Sequence, residues 1–404
     1  ITTVKAAVEN KAMMRKYQQD FFKSALSRAT KSKIKGYSFS DDFDQNRVKA
    51  FIDKLLLHRI EVYKSGNGTY VVPTKQPQYR IANFYNMKYK EVSNMALGER
   101  IENTTNIVSV PDFKKSDYAY ILDWDDYNTP AALYQLQTAG LVVSSSAKQF
   151  SSQTTMGEKR FNYGSLMVPV SLQKKSSEEV YQALKKVQDK FQIPIYSINT
   201  GLNLKGIDLG SRSISAVSKP KIAMLIGHGV SSYEAGEVWH LLDTRVGMPI
   251  TKIPMRNFSG ADLSGYNTLV MVSGKYDLDE KERNKIKDWV DIGNTLITIG
   301  TASKWAIDKK LVDEKLIEAK KDSTKTIVRK PYVDADENIG KESLGGAIFR
   351  VDLDVTHPLG FGYHDATIPV YKNNTVWLAP SKNEYATVAK YTQDPQIDGF
   401  ITDK

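Results

Sequence analysis

The chain has 404 residues, too many for one ordinary core and enough for two or three domains. Its hydrophobic share of 41% and charged share of 25% are those of a globular chain; no apolar run approaches the roughly 18 residues of a membrane helix, and the lack of cysteine excludes disulfides, thiol nucleophiles and thiolate metal sites. The net charge of +10 brings nucleic acid into consideration, but the basic residues are mostly interleaved with acids, so the expectation is a solvated basic surface and no nucleic-acid partner.

The first residue is Ile1 and no signal-peptide pattern follows it, so the expectation is a processed chain or a piece of a longer one. Residues 2–30 predict one helix, because Val4, Val8, Met13, Met14, Tyr17, Phe21, Phe22 and Leu26 recur at helical spacing. Such a stripe needs a partner surface. The one basic run, Lys31–Lys35, comes next. Lys35–Ser40 alternates as a strand, Gln45–His58 is an amphipathic helix and Ile60–Tyr63 a second strand. A Gly66-Asn67-Gly68 turn leads into strand Tyr70–Pro73, and Pro77 opens another helical segment.

The same order then recurs. Tyr118–Trp124 predicts a strand ending in Asp125-Asp126, as the earlier strand ends in Asp41-Asp42. Pro130–Thr138 predicts a helix with proline in its first turn, and Leu141–Ser144 a strand. Ser165–Val170 echoes the earlier Val-Pro strand. Ser176–Phe191 predicts a helix opened by Ser-Ser-Glu-Glu, and Ile195–Asn199 a further strand. The expectation is a linking helix over 1–34 and a tandem α/β repeat domain over 35–202.

Residues 203–220 are rich in Gly, Ser and Lys and predict a linker. A new unit, 221–404, then begins with the continuous apolar strand Lys221–Ile226. After it come the loop Gly227–Ser232, a helix from Tyr233 to Arg245, and strands Ile250–Ile253 and Thr268–Val272. The helix Glu280–Ile292 and the strand Thr295–Ile299 complete the alternation. Alternation of this kind predicts α/β architecture with a doubly wound parallel sheet. Beyond Ser323 the pattern turns to strand and turn signals, predicting a β-rich decoration.

The best candidate site is the loop at the end of the first parallel strand, where open sheets bind ligands. Gly227, His228, Gly229, Ser231, Ser232, Tyr233 and Glu234 belong to it, with Ser273 and Gly274 at the end of the third strand. The alternative is a tight turn in which Ser231 or Ser232 caps the helix. Glu237 and His240 form a Glu-x-x-His pair, a weak candidate for metal. The Gly-x-Ser-x-Gly pattern of a nucleophile elbow is absent around Ser231. His357, in a Gly/Pro-rich stretch, reads as a turn hydrogen-bonder. Asp41, Asp42, Asp123, Asp125 and Asp126 can pair as acid and base or hold a cation; as strand-end acids before helices, they read first as caps.

Several stretches carry a resemblance. They are Tyr70–Pro73 running into Gln76–Arg80, Asn199–Gly201 with Gly206–Ser211, Gly229–Asp243, and Thr356–Leu359 with Phe361–Tyr363. Together they resemble the region downstream of the catalytic domain in zinc carboxypeptidases (carboxypeptidase A-like peptidases) of the Bacteroidetes group. The similarity spans most of the chain and is strongest from Ile195 to Trp305. Departures fall at Ile81–Met87, which is short, and at Lys404, where relatives continue.

In that family the zinc-binding domain lies N-terminal, with a His-x-x-Glu motif and a later His. No catalytic or zinc position carries over onto this chain. The final unit looks like the flavodoxin-like, class I glutamine amidotransferase-like fold, whose enzymes use a cysteine that is absent here. The resemblance therefore implies a non-catalytic accessory region of a secreted or periplasmic zinc metallocarboxypeptidase-like protein. Zinc is expected in its N-terminal peptidase domain and none in this segment. Its partners would be that peptidase domain and peptide substrate or envelope proteins. The alternatives are a scaffold component of an envelope complex and a small-ligand module using the 227–234 loop.

Overall fold

The structure is a computed structural model. It describes residues 2–66, 68–79, 90–93, 97–317, 329–341 and 344–401. The helix expected from Pro77 falls almost wholly outside them, as does Asn67 of the expected turn. Contacts divide the chain into two compact units: residues 1–113 with 125–129 and 188–194, and residues 114–124 with 130–187 and 195–404. The architecture is mixed α/β with several sheets.

The first unit opens with α1 (Thr2–Glu9) and α2 (Lys11–Lys31), in place of the one helix expected. The interruption is Asn10, whose side-chain amide donates to the Ala6 carbonyl, the local competition that disfavours Asn inside helices. Only Ala25 and Ala29 of α2 are buried; Met13, Met14, Tyr17, Phe21 and Phe22 remain exposed. Next come β1 (Gly36–Phe39), α3 (Gln45–Leu57), β2 (Tyr63–Lys64), β3 (Tyr70–Pro73) and β4 (Lys90–Val92), in sheet order β2-β3-β1-β4. Val48, Ile52 and Leu55 lie on one face of α3 and close over Phe39, Tyr70 and Val72 of the sheet. Each full burial contributes about 1.5–3 kcal/mol.

The second repeat consists of β5 (Ala119–Leu122), α4 (Thr129–Thr138), β6 (Ser144–Ser146), β7 (Phe150–Thr154), β8 (Gly157–Phe161), β9 (Leu166–Pro169), α5 (Ser177–Phe191) and β10 (Tyr196–Ile198). Its central order, β6-β9-β5-β10, matches β2-β3-β1-β4 position for position. Even the register agrees: Gly36 faces Pro73 in one sheet and Ala119 faces Pro169 in the other. The two sheets thus share a strand order, and the paired strands of both are antiparallel. The hairpin β7–β8, which no sequence signal announces, is an insertion between β6 and β9.

Two expected strands are displaced, and for one reason. Ile60 and Val62 are buried but unpaired as a ladder; pairing begins only at Tyr63. There the Gln76 side chain accepts from the Glu61 N–H (2.8 Å) and donates to the Pro73 carbonyl (2.6 Å). In the second repeat Leu141 and Val143 are buried, and pairing begins at Ser144. Gln173 accepts from the Val142 N–H and donates to the carbonyls of Val142 and Pro169, each at 2.8 Å. A glutamine amide thus replaces strand backbone at the same place in both repeats.

Residues 203–220, expected as a linker, supply β11 (Lys205–Gly206) and β12 (Ile214–Ala216) to the edges of the larger sheet. Polar composition there reflects edge position. The next sheet contains β13 (Ile222–Ile226), β14 (Thr251–Pro254), β15 (Thr268–Met271) and β16 (Thr295–Thr298), all parallel, in order β14-β13-β15-β16.

Helices α6 (Ser232–Trp239), α7 (Glu280–Asp291) and α8 (Thr301–Asp308) connect or follow these strands. The helix expected to run to Arg245 widens at His240 into an i→i+5 turn over His240–Val246. Ala223, Leu225, Leu269 and Met271 point to one sheet face, where they pack with Ile286 and Trp289 of α7 and Trp305 of α8. The short helix α9 (Ala335–Lys341) precedes a separate antiparallel sheet of β17 (Ala347–Leu353), β18 (Thr367–Lys372) and β19 (Ala389–Gly399), in order β18-β17-β19.

Candidate functional site

The strand order reverses between β13 and β15, and the candidate loop rises from β13 at that reversal. Gly227 and Gly229 have φ of 124° and 85°, a region closed to most side chains, so the turn requires glycine at both. Ser231 caps α6, its hydroxyl accepting from the Glu234 N–H at 3.3 Å. Its own N–H donates to the Ser273 carbonyl at 2.8 Å. The Glu234 carboxylate accepts from the Ser273 N–H at 2.8 Å. The Ser273 hydroxyl accepts from the Thr301 N–H at 3.1 Å, and the Thr301 hydroxyl from the Gly274 N–H at 2.9 Å. Gly300 completes the crest at φ 56°, where a Cβ would stand 2.1 Å from the Ser273 hydroxyl.

The expected residues are therefore brought together, but largely to bond one another. Ser231, Glu234, Ser273 and Gly274 form one network, which Thr301 and Gly300 close; no sequence motif points to those last two. Beneath it Tyr276 donates to the Val272 carbonyl at 2.7 Å, and Trp305 donates to the Tyr276 carbonyl at 2.9 Å. Burial, reinforced by the Glu234 charge, raises the Tyr276 phenol above its ordinary range, so it stays a neutral donor.

His228, Ser232 and Tyr233 are exposed, Tyr233 at 86%. Glu237 and His240 are also exposed, and the widened turn starts at His240, so their helical spacing ends there. The sequence does contain one His-x-x-Glu, His58-Arg59-Ile60-Glu61, outside the candidate residues. His58 is the C-cap of α3, and Glu61 accepts from the Tyr63 hydroxyl at 3.1 Å and pairs with Arg100 at 3.6 Å. Among the described residues no three His, Asp or Glu side chains gather as a metal site. His357 accepts from the Leu359 N–H at 3.1 Å, the turn role expected of it.

The strand-end acids behave differently from the expectation. Asp41 accepts from the N–H groups of Phe43 and Asp44, both at 3.0 Å, and pairs with Arg47. The cap of α3 is instead Asp44, which accepts from the Arg47 N–H at 2.8 Å. Its second oxygen accepts from the Tyr127 N–H at 2.8 Å. Asp126 accepts from the Asn46 amide at 2.9 Å and the Asn128 N–H at 2.8 Å, and Asn46 also donates to the Gln192 carbonyl. Asp44 and Asp126 are both buried. Burial first, and then the Asp126 charge, push the Asp44 carboxyl up to about 7; burial likewise raises Asp126. Asp123 pairs with Lys159 at 3.1 Å. The buried acid pair is half legible in the sequence: Asp126 stands out at a strand end, while Asp44 is hidden behind the Asp41-Asp42 doublet.

No family model matches the chain, and no curated protein matches it.

Proposed function

We propose that this chain is a non-catalytic accessory region of a secreted or periplasmic zinc metallocarboxypeptidase-like protein, serving to orient substrate or to dock the protein at the envelope. The observation that carries the non-catalytic half is the closed network at the crest of the parallel sheet. The hydroxyls of Ser231, Ser273 and Thr301 and the Glu234 carboxylate accept from backbone N–H groups of the same crest, so they brace the loops, and none of these bonds passes a hydroxyl proton to a base as nucleophilic catalysis requires. The family assignment rests on the resemblance of Gly229–Asp243 and the other stretches, and the zinc belongs to the N-terminal domain of the parent.

The strand order of the parallel sheet, with α7 and α8 packed on one face and α6 lying over the other, supports a doubly wound flavodoxin-like fold akin to class I glutamine amidotransferases. The exposed stripe Met13, Met14, Tyr17, Phe21 and Phe22 favours the docking role.

Two measurements test the reading. Purified residues 1–404 should hydrolyse no peptide with or without added zinc. The native polypeptide that contains them should have a mass well above 45.4 kDa, bind zinc and release C-terminal residues. Turnover by residues 1–404 that is lost on changing His228 or His240 refutes the non-catalytic assignment. A native polypeptide without zinc or peptidase activity leaves the scaffold reading in its place.

A further inference from the structure

A groove runs from the crest loop, sharing Gly227 and Ser231 with it, along the underside of α6. Helix α6 buries none of its residues, yet Met224 beneath it is fully buried. Between them the groove has a volume of about 400 Å³, lined by Met224 and Ile226 of β13, Lys252 of β14, Ala235, Gly236 and Trp239 of α6, and by the crest loop from Gly227 to Ser232 at its upper end. That volume falls in the range of small-molecule sites. Met224 and Lys252 are register partners in parallel strands, so they share a face and put an ammonium beside the apolar floor.

Lys252 is the only charged residue of the lining. Its ammonium lies 4.9 Å from the centre of the Trp239 ring, and among the described residues it makes no ion pair. The widened turn begins one residue after Trp239, a distortion frequent at functional sites. Gly236 leaves open space: a Cβ there would meet nothing within 4 Å.

We propose that this groove binds a small organic carboxylate with an aromatic or branched apolar body. The body would lie on Ile226 against the Trp239 ring, over a layer backed by the buried Met224, and the carboxylate would pair with Lys252. The apolar lining rewards the body, and the Lys252 ammonium, in a lining that contains no acid, selects an anion over its neutral analogue. The groove is independent of the accessory-region reading, since neither a zinc domain nor peptidase activity enters its chemistry.

Calorimetry on residues 1–404 tests it with 3-phenylpropionate and N-acetylphenylalanine as acids and 3-phenylpropanamide as the neutral control. The acids should bind in the millimolar range or tighter, about tenfold more tightly than the amide. Lys252→Met should bring acid and amide to the same affinity. Gly236→Leu, which fills the open space and improves helix propensity, should abolish binding with the thermal midpoint retained. Ala235→Leu gives a second obstruction should Gly236→Leu unfold. Acid binding that is undetectable at about 10 mM (weaker than roughly −3 kcal/mol), equal to that of the amide, or unchanged in the folded obstructed variant overturns the assignment.

Discussion

Asp44 makes the stability of the first unit depend on pH in an unusual direction. The carboxyl is raised from 3.8 to about 7, chiefly by burial and next by the Asp126 charge. Between those values the unfolded chain carries Asp44 ionised while the folded chain holds it protonated, so folding takes up a proton. The linked stability is therefore fully present below pH 4 and is lost as pH rises toward 7. A shift of roughly three units corresponds to about 4 kcal/mol, and because Asp126 is raised as well, the loss is shared by the pair as a coupled titration. Asp44→Asn removes the titration and keeps a capping oxygen for the Arg47 N–H. It also turns an amide nitrogen toward one of the two N–H donors that Asp44 accepts from, which costs about 1–3 kcal/mol at every pH. Urea denaturation at half-unit steps from pH 4.5 to 8 separates the two effects. The Asn variant should start less stable at pH 4.5 and close on, or overtake, the wild type by pH 7.5. Parallel curves across the whole range would refute a raised Asp44.

The glutamine stand-ins predict an ordered pair of effects. Gln76 is 2% exposed, so Gln76→Leu strands a buried N–H and carbonyl and should cost about 2–3 kcal/mol. Gln173→Leu, at a wetter position, should cost about 1 kcal/mol; denaturation midpoints read both, and a reversed order counts against the strand-replacement role. Gly300→Ala should destabilise by more than about 2 kcal/mol, because its Cβ would collide with the Ser273 hydroxyl at a φ unfavourable to alanine. Gly236→Ala, in open space on a helix, should be neutral or gain about 0.5–1 kcal/mol by thermal melting. Asp279→Ala removes the side-chain half of the capping box of α7, the bond the Asp279 carboxylate accepts from the Glu282 N–H, and should cost about 1 kcal/mol, also by melting.

Legibility follows the strength of local signals. The parallel strands are readable almost to the residue because each is a short run rich in apolar and β-branched residues, Ile222–Ile226 being wholly apolar between Lys221 and Gly227. The shared strand order is legible from Val72-Pro73 and Val168-Pro169, whose prolines take equivalent register positions opposite Gly36 and Ala119. Alternation misleads at Ile60–Val62 and Leu141–Val143, since it reports burial and says nothing of what pairs with the backbone. A side-chain amide from Gln76 or Gln173 satisfies that backbone, and no periodicity betrays it. Residues 203–220 mislead for the converse reason: Lys205–Gly206 and Ile214–Ala216 have the composition of a linker because they sit at sheet edges.

The same distinction governs the candidate site. Glycines at 227 and 229 locate the mouth of the parallel sheet because only they tolerate its backbone, and that much is local chemistry. Whether a mouth can do chemistry depends on which of its polar groups remain unpaired, and that is set by residues remote in sequence. Ser273 answers to Glu234 across 39 residues and to Thr301 across 28. The groove depends on Lys252 coming level with Met224, a consequence of strand register that spacing alone does not supply. A loop motif therefore fixes where this fold presents its backbone, while the long-range register of β13, β14 and β15 decides that the crest is braced and that the Lys252 ammonium shares a groove with the crest loop.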